Sequence, residues 1–142
     1  MIVLDANILL YAYDTGSQHH LKARAWVESI FTEPEPVGLP WQVISAFLRI
    51  MTHPRLPGQR FTVEEAIGIT TLWVDQPNVR TLAPTERHWG LFRHMIVEGQ
   101  AAGALVSDAH LAAMTIEHGG VLHTTDRDFA RFPGLRWTNP LA

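Results

Sequence analysis

Four aspartates in this chain stand where chemistry can be done. Asp5 closes the apolar run Met1-Ile2-Val3-Leu4, and Asn7 follows two residues on. Asp108 lies near the start of a mostly apolar stretch, Ser107-Asp108-Ala109-His110-Leu111-Ala112-Ala113. Asp126 and Asp128 sit in Thr124-Thr125-Asp126-Arg127-Asp128-Phe129, directly after another short apolar run. Singly, each has an ordinary use: Asp5, Asn7, Asp126 or the Ser107–Asp108 pair can cap the helix that follows. Gathered at one site, the carboxylates repel unless protons or cations neutralise them. Hard divalent cations such as Mg²⁺ or Mn²⁺ do so through carboxylate oxygens while keeping several waters. Ions held in that way activate water and offset charge on a phosphoryl oxygen. The residues therefore point to metal-dependent phosphoryl chemistry.

Positioning them falls to an alternation of strands and helices. Met1–Asp5, Val37–Leu39, Val79–Leu82 and Val121–Thr124 read as short strands, with Leu135–Trp137 as a fifth. Between them lie helical patterns at Asn7–Tyr13 and Gln18–Phe31, the second with Leu21, Ala25, Val27, Ile30 and Phe31 on its inner side. Pro40 opens a helix from Trp41 to about Met51, and His53–Gly58 forms a loop. Thr62 with Glu65 is a capping box for a helix running to about Asp75. Pro84-Thr85 caps one that runs through about Glu98, and Leu105–His118 stops at Gly119-Gly120. Strands separated by helices predict an α/β fold, a parallel sheet of four or five strands with helices on both faces. In such sheets ligands bind outside the carboxyl ends of the strands, and the runs ending in Asp5 and leading into Asp126 end there.

Composition narrows the class. With 142 residues, 46% hydrophobic and 18% charged, the chain can bury a core and suits one domain over 1–142. No apolar run approaches a membrane span, and the N-terminus has no signal-peptide pattern. Cysteine is absent, which removes thiolate metal sites and cysteine nucleophiles and fits a reducing cytoplasm. The net charge of −3 argues against nucleic-acid binding through bulk positive charge. Lys22 is the only lysine; the arginines fit either base composition or phosphate recognition. Neither HExxH nor a serine elbow nor a phosphate-cradling glycine loop occurs. The eight histidines show no ligand spacing on one helix face. Trp26, Trp41, Trp73, Trp89 and Trp137, with Phe31, Phe47 and Phe92, are expected in the core. The alternative is a partner patch made by Trp41/Phe47 and Trp26/Phe31.

The segments Asp5-Ala6-Asn7-Ile8-Leu9-Leu10, Ser107–Ala113 and Thr124–Phe129 resemble, in order and spacing, the three acidic motifs of PIN-domain nucleases. Among these the chain is most similar to VapC toxins, over nearly its whole length. The resemblance implies a three-layer PIN-like fold and a Mg²⁺- or Mn²⁺-dependent endoribonuclease that cuts structured RNA, usually transfer or ribosomal RNA. It implies that Asp5, Asp108 and Asp126 form the acidic metal site, with Asp128 as a fourth member. It implies that Asn7 orients Asp5 or a metal-bound water and that Thr125 hydrogen-bonds behind the ligands. A cytoplasmic homodimer and a VapB-like antitoxin follow as expected partners, without a membrane. One position departs from the pattern. The glutamate usual on the helix after the second strand falls here on Ala46, and no Asp or Glu lies between Glu35 and Glu64. The alternative is therefore a catalytically silent PIN scaffold that binds RNA or an antitoxin.

Overall fold

A parallel sheet covered on both faces needs strands that are apolar throughout, and Val3, Leu4, Val37, Leu39 and Leu122 are all completely buried. The computed structural model describes residues 1–55 and 61–142; the end of the expected His53–Gly58 loop lies outside them. Five strands, β1 (Ile2–Leu4), β2 (Val37–Pro40), β3 (Val79–Leu82), β4 (Val121–His123) and β5 (Trp137–Thr138), form one sheet in the order β3-β2-β1-β4-β5. Every pairing is parallel. Between β1 and β2 lie α1 (Ala6–Tyr13) and α2 (His20–Thr32); between β2 and β3 lie α3 (Trp41–Met51) and α4 (Val63–Val74). Between β3 and β4 lie α5 (His88–Glu98) and α6 (Leu105–Glu117), and a 3-10 helix, Arg127–Arg131, links β4 to β5.

The strand order explains where the helices go. The chain steps outward from β1 to β3, then crosses back to β4. Right-handed crossovers in opposite directions put the intervening helices on opposite faces. Accordingly α1 packs on α2 and α3, and α3 on α4, whereas α5 packs on α6 and α6 on β4. The order reverses between β1 and β4, so a crevice opens beyond their carboxyl ends. Asp5 and Asp126 follow those two strands.

Local chemistry sets the boundaries. Thr62 and Glu65 make the expected capping box: the Thr62 hydroxyl accepts from the Glu65 N–H, and the Glu65 carboxylate accepts from the Thr62 N–H. Gly119 takes a φ of +68°, and a Cβ on Gly120 would sit 2.5 Å from a Val3 methyl. Glycine therefore both ends α6 and lets β4 start against β1.

Several expectations are corrected. On α2 the buried stripe is Ala23, Val27 and Ile30, at i, i+4 and i+7; Leu21 is 80% exposed and Ala25 is exposed too. Helix α5 begins at His88, because the Thr85 hydroxyl accepts from the Arg87 N–H and donates to Glu117. The last strand lies at Trp137–Thr138, set by pairing with Leu122 and His123. Phe47 and Trp73 are core, but Trp41 and Trp89 are 53% and 65% exposed. The patch beside Trp41 is shared with Ile67 and Val74 of α4, since Phe47 turns inward.

Candidate active site

The strand-to-helix turns do cap, and they also gather carboxylates. Asp5 is the N-cap of α1, its Oδ1 accepting from the Ala6 N–H at 2.7 Å. Asp126 caps the 3-10 helix, its Oδ1 accepting from the Asp128 N–H at 2.9 Å. Asp108 caps nothing: it lies inside the first turn of α6, whose N-cap is Ala104. One carboxylate oxygen from each of Asp108, Asp126 and Asp128 lies within 4.8 Å of the other two. Asp5 is not in that tight group, yet its charge acts on Asp108, and the charge of Asp126 acts on Asp5.

Electrostatics record the crowding. Burial pushes the Asp108 carboxyl up to about 6, with the charges of Asp126, Asp5 and Asp128 adding and Arg131 opposing. Burial also raises Asp5; hydrogen bonds from Thr124 and Ala6 counter it, and Asp126 adds to it. Both shifts have the sign expected where negative charges lack a counter-charge.

Thr124 is the organiser that sequence reasoning missed. Completely buried, its hydroxyl donates to Asp5 Oδ2 at 2.8 Å and accepts from the Asp126 N–H at 3.0 Å. Asn7 Nδ2 donates to the Thr125 hydroxyl at 2.9 Å and to Thr124 Oγ1 at 3.3 Å. Asn7 thus reaches Asp5 through Thr124, and Thr125 anchors Asn7. The threonine that opens the motif, two residues before Asp126, was the available signal: one donor and two acceptor lone pairs can join three groups. Arg131 was also missed; its guanidinium donates to the Gly99 carbonyl and faces Asp108.

Histidines meet across helices, which spacing within one helix cannot reveal. His88 is buried, its Nδ1 3.0 Å from the Glu117 carboxylate and its Nε2 2.7 Å from His110 Nδ1. Thr85 donates to the same carboxylate. This cluster clamps α5 to α6. Among the described residues, only Asp108, Asp126 and Asp128 have metal-compatible ligand spacing.

A family model described as PIN domain matches residues 2–135. Ribonuclease VapC37 of Mycobacterium tuberculosis is 36% identical over 142 residues, covering 100% of this chain and 99% of the relative. Ribonuclease VapC33 of the same organism is 37% identical over 141 residues, 99% of each. The chain belongs to the PIN-domain family of VapC ribonucleases. Solved structures agree on the VapC fold. VapBC2 from Rickettsia felis, bound to a DNA fragment from its promoter, matches with a TM-score of 0.73 at 16% identity over 98% of each chain. VapC20 of Mycobacterium tuberculosis, a sarcin–ricin-loop-cleaving toxin, matches at 0.67 and 18% identity over 96% and 99%.

The donor set of this VapC-family site suits a hard divalent ion: only carboxylate oxygens, close together, with raised affinity for positive charge. Ala46 stands half-buried on α3. One turn earlier on the same stripe, Gln42 Nε2 donates to the Ser107 carbonyl at 3.4 Å, beside Asp108. That stripe of α3 runs toward the start of α6.

Proposed function

We propose that residues 1–142 form a single PIN domain acting as the toxin of a VapBC-type pair, a Mg²⁺- or Mn²⁺-dependent endoribonuclease for structured RNA. The observation that carries this reading is the group of three carboxylates, with Asp5 behind them, at the carboxyl-edge crevice of a VapC-family fold. Asp108, Asp126 and Asp128 would hold the cation, and the charge of Asp5 beside them would add to its attraction. When bound, the ion supplies charge neutralisation at the phosphoryl oxygens and an activated water. Thr124 fixes Asp5 in one rotamer, and Asn7 fixes Thr124 through its amide. Arg131 offsets part of the negative charge at the groove's rim.

The substrate is transfer or ribosomal RNA, in keeping with the sarcin–ricin-loop cleavage of VapC20. A homodimer in the cytoplasm and a VapB-like antitoxin complete the reading; VapBC assemblies among the structural neighbours support the pairing. Among the described residues no helix is long and apolar enough to cross a membrane. Ala46 favours one alternative, a scaffold that binds RNA or antitoxin without cutting. The deciding experiment expresses the protein alone and sequences the 5′ ends of cellular RNA, beside Asp5→Asn. New ends that need Mg²⁺ and vanish in Asp5→Asn support the nuclease. RNA binding with no new ends in either protein favours the scaffold.

A further inference from the structure

The 3-10 helix divides the carboxyl edge of the sheet into two compartments. Side chains three apart on such a helix eclipse one another. Asp128 and Arg131 form one stripe, and both act on Asp108. Arg127 and Ala130 form the other stripe and line a separate open cavity of about 440 Å³, bordered by Thr125, Trp137, Thr138, Asn139 and Ala142. That volume lies within the range of small-ligand sites. The two compartments share one wall, because Thr125 also accepts from Asn7, the residue that holds Thr124 and, through it, Asp5.

The cavity is rich in uncommitted donors. Arg127 lies between two aspartates in the chain, yet among the described residues it forms no ion pair and no hydrogen bond. The Trp137 indole N–H and the Thr138 hydroxyl also have no partner there. Asn139 Oδ1 accepts from the Leu141 N–H, and its NH₂ has no partner among the described residues. An exposed guanidinium, an indole and two further donors, one residue from a carboxylate cluster, match the groups of a nucleotide. Its phosphate takes a forked cation, its base has a π-face for stacking, and its edges accept hydrogen bonds. An acidic peptide would use the donors and leave the indole unused.

We infer that this cavity is the subsite for the unpaired nucleotide flanking the scissile phosphate, its base against Trp137 and its phosphate on Arg127. The inference rests on the nuclease reading above and adds what lies beside the cut. The test is fluorescence anisotropy with a labelled, mixed-sequence single-stranded RNA of about ten nucleotides, the full chain, and Ca²⁺ in place of Mg²⁺ to keep the RNA whole. Arg127→Ala should weaken binding about tenfold and flatten the plot of log affinity against log salt by about 0.7, one phosphate contact on a single strand. Arg127→Lys should restore the slope. Trp137→Leu should weaken binding about tenfold with the slope unchanged. Arg127 is exposed, so its variants should keep the parent's melting temperature and Mg²⁺ titration. If the parent binds RNA and Arg127→Ala matches it in affinity and slope, the subsite is overturned while the nuclease reading stands. If Arg127→Ala keeps RNA affinity but loses that for an antitoxin C-terminal peptide, the cavity serves a protein partner, and the inference is likewise overturned. A parent that neither binds nor cuts RNA overturns both.

Discussion

Asp108 accepts no hydrogen bond among the described residues, so nothing local favours its charged form. Its carboxyl titrates near 6 in the folded chain against 3.8 as the ordinary value. The folded state therefore holds more protons than the unfolded one between those values. Stability that is fully present below about pH 4 is lost as pH rises through 6. The loss should be about 1 kcal/mol, because solvent around a half-exposed group screens most of the shift. Urea unfolding of metal-free protein between about pH 4 and 7 should show this fall, and Asp108→Asn should flatten it; an unchanged slope in the variant would remove Asp108 as the cause. Thr124 supplies a second residue-scale expectation. Thr124→Val keeps the shape but leaves Asp5, the Asp126 N–H and Asn7 without their shared hydroxyl. It should cost about 1–3 kcal/mol, measured by chemical denaturation, and lower Mg²⁺ affinity in calorimetry. Thr125→Val, at a half-buried hydroxyl with one contact, should cost less on both measures.

At the scale of elements, the docking of α3 and α5 decides two outcomes. Gln42 ties the Ala46 stripe of α3 to Ser107 at the start of α6. Ala46→Glu should therefore add a carboxylate to the site and tighten Mg²⁺ binding by roughly 1–2 kcal/mol, the scale of one charge-assisted contact. The extra charge should also lower the melting temperature of the metal-free protein slightly. Calorimetric titration with Mg²⁺ checks the first point; unchanged affinity would mean that Ala46 does not reach the ion. Helix α5 is held differently. Glu117, with its side chain completely buried, joins α6 to His88 and Thr85, and the Glu117 carbonyl accepts from Arg87. Glu117→Ala leaves the buried His88 and the half-buried Thr85 without their carboxylate partner and should destabilise the fold by about 3 kcal/mol. Urea denaturation would show it, and a cost under about 0.5 kcal/mol would mean that apolar packing alone docks α5.

For the whole molecule, a cation held by the carboxylate cluster would link stability to metal. A ligand that binds the native state alone stabilises it in proportion to the logarithm of one plus the ratio of its free concentration to its Kd. Mg²⁺ at about a hundred times its Kd should add about 2.7 kcal/mol, read as a higher melting temperature that EDTA reverses. Asp108→Asn should respond less, since the site loses one of its closest three carboxylates. A parent whose melting temperature ignores both Mg²⁺ and Mn²⁺ would contradict the metal reading at its root.

The sequence by itself determined the alternation of strands and helices, the parallel sheet, and the four aspartates as one candidate site. Those features rest on local and periodic physics: apolar runs too short for helices, a Thr62–Glu65 capping box, glycines after α6, and carboxylates beside strand ends. What only the tertiary structure decided depends on elements distant in the chain. Thr124 becomes the hub because β1 and β4 pair side by side, which sets its hydroxyl against Asp5 across 119 residues. His88 meets His110 because α5 packs on α6. Leu21, Trp41 and Trp89 are exposed although apolar, because the face a helix buries is chosen by its neighbours. The last strand begins at Trp137 because pairing with Leu122 sets its register. Side-chain type is written residue by residue, but contact between distant residues exists only after the crossovers of the sheet bring them together.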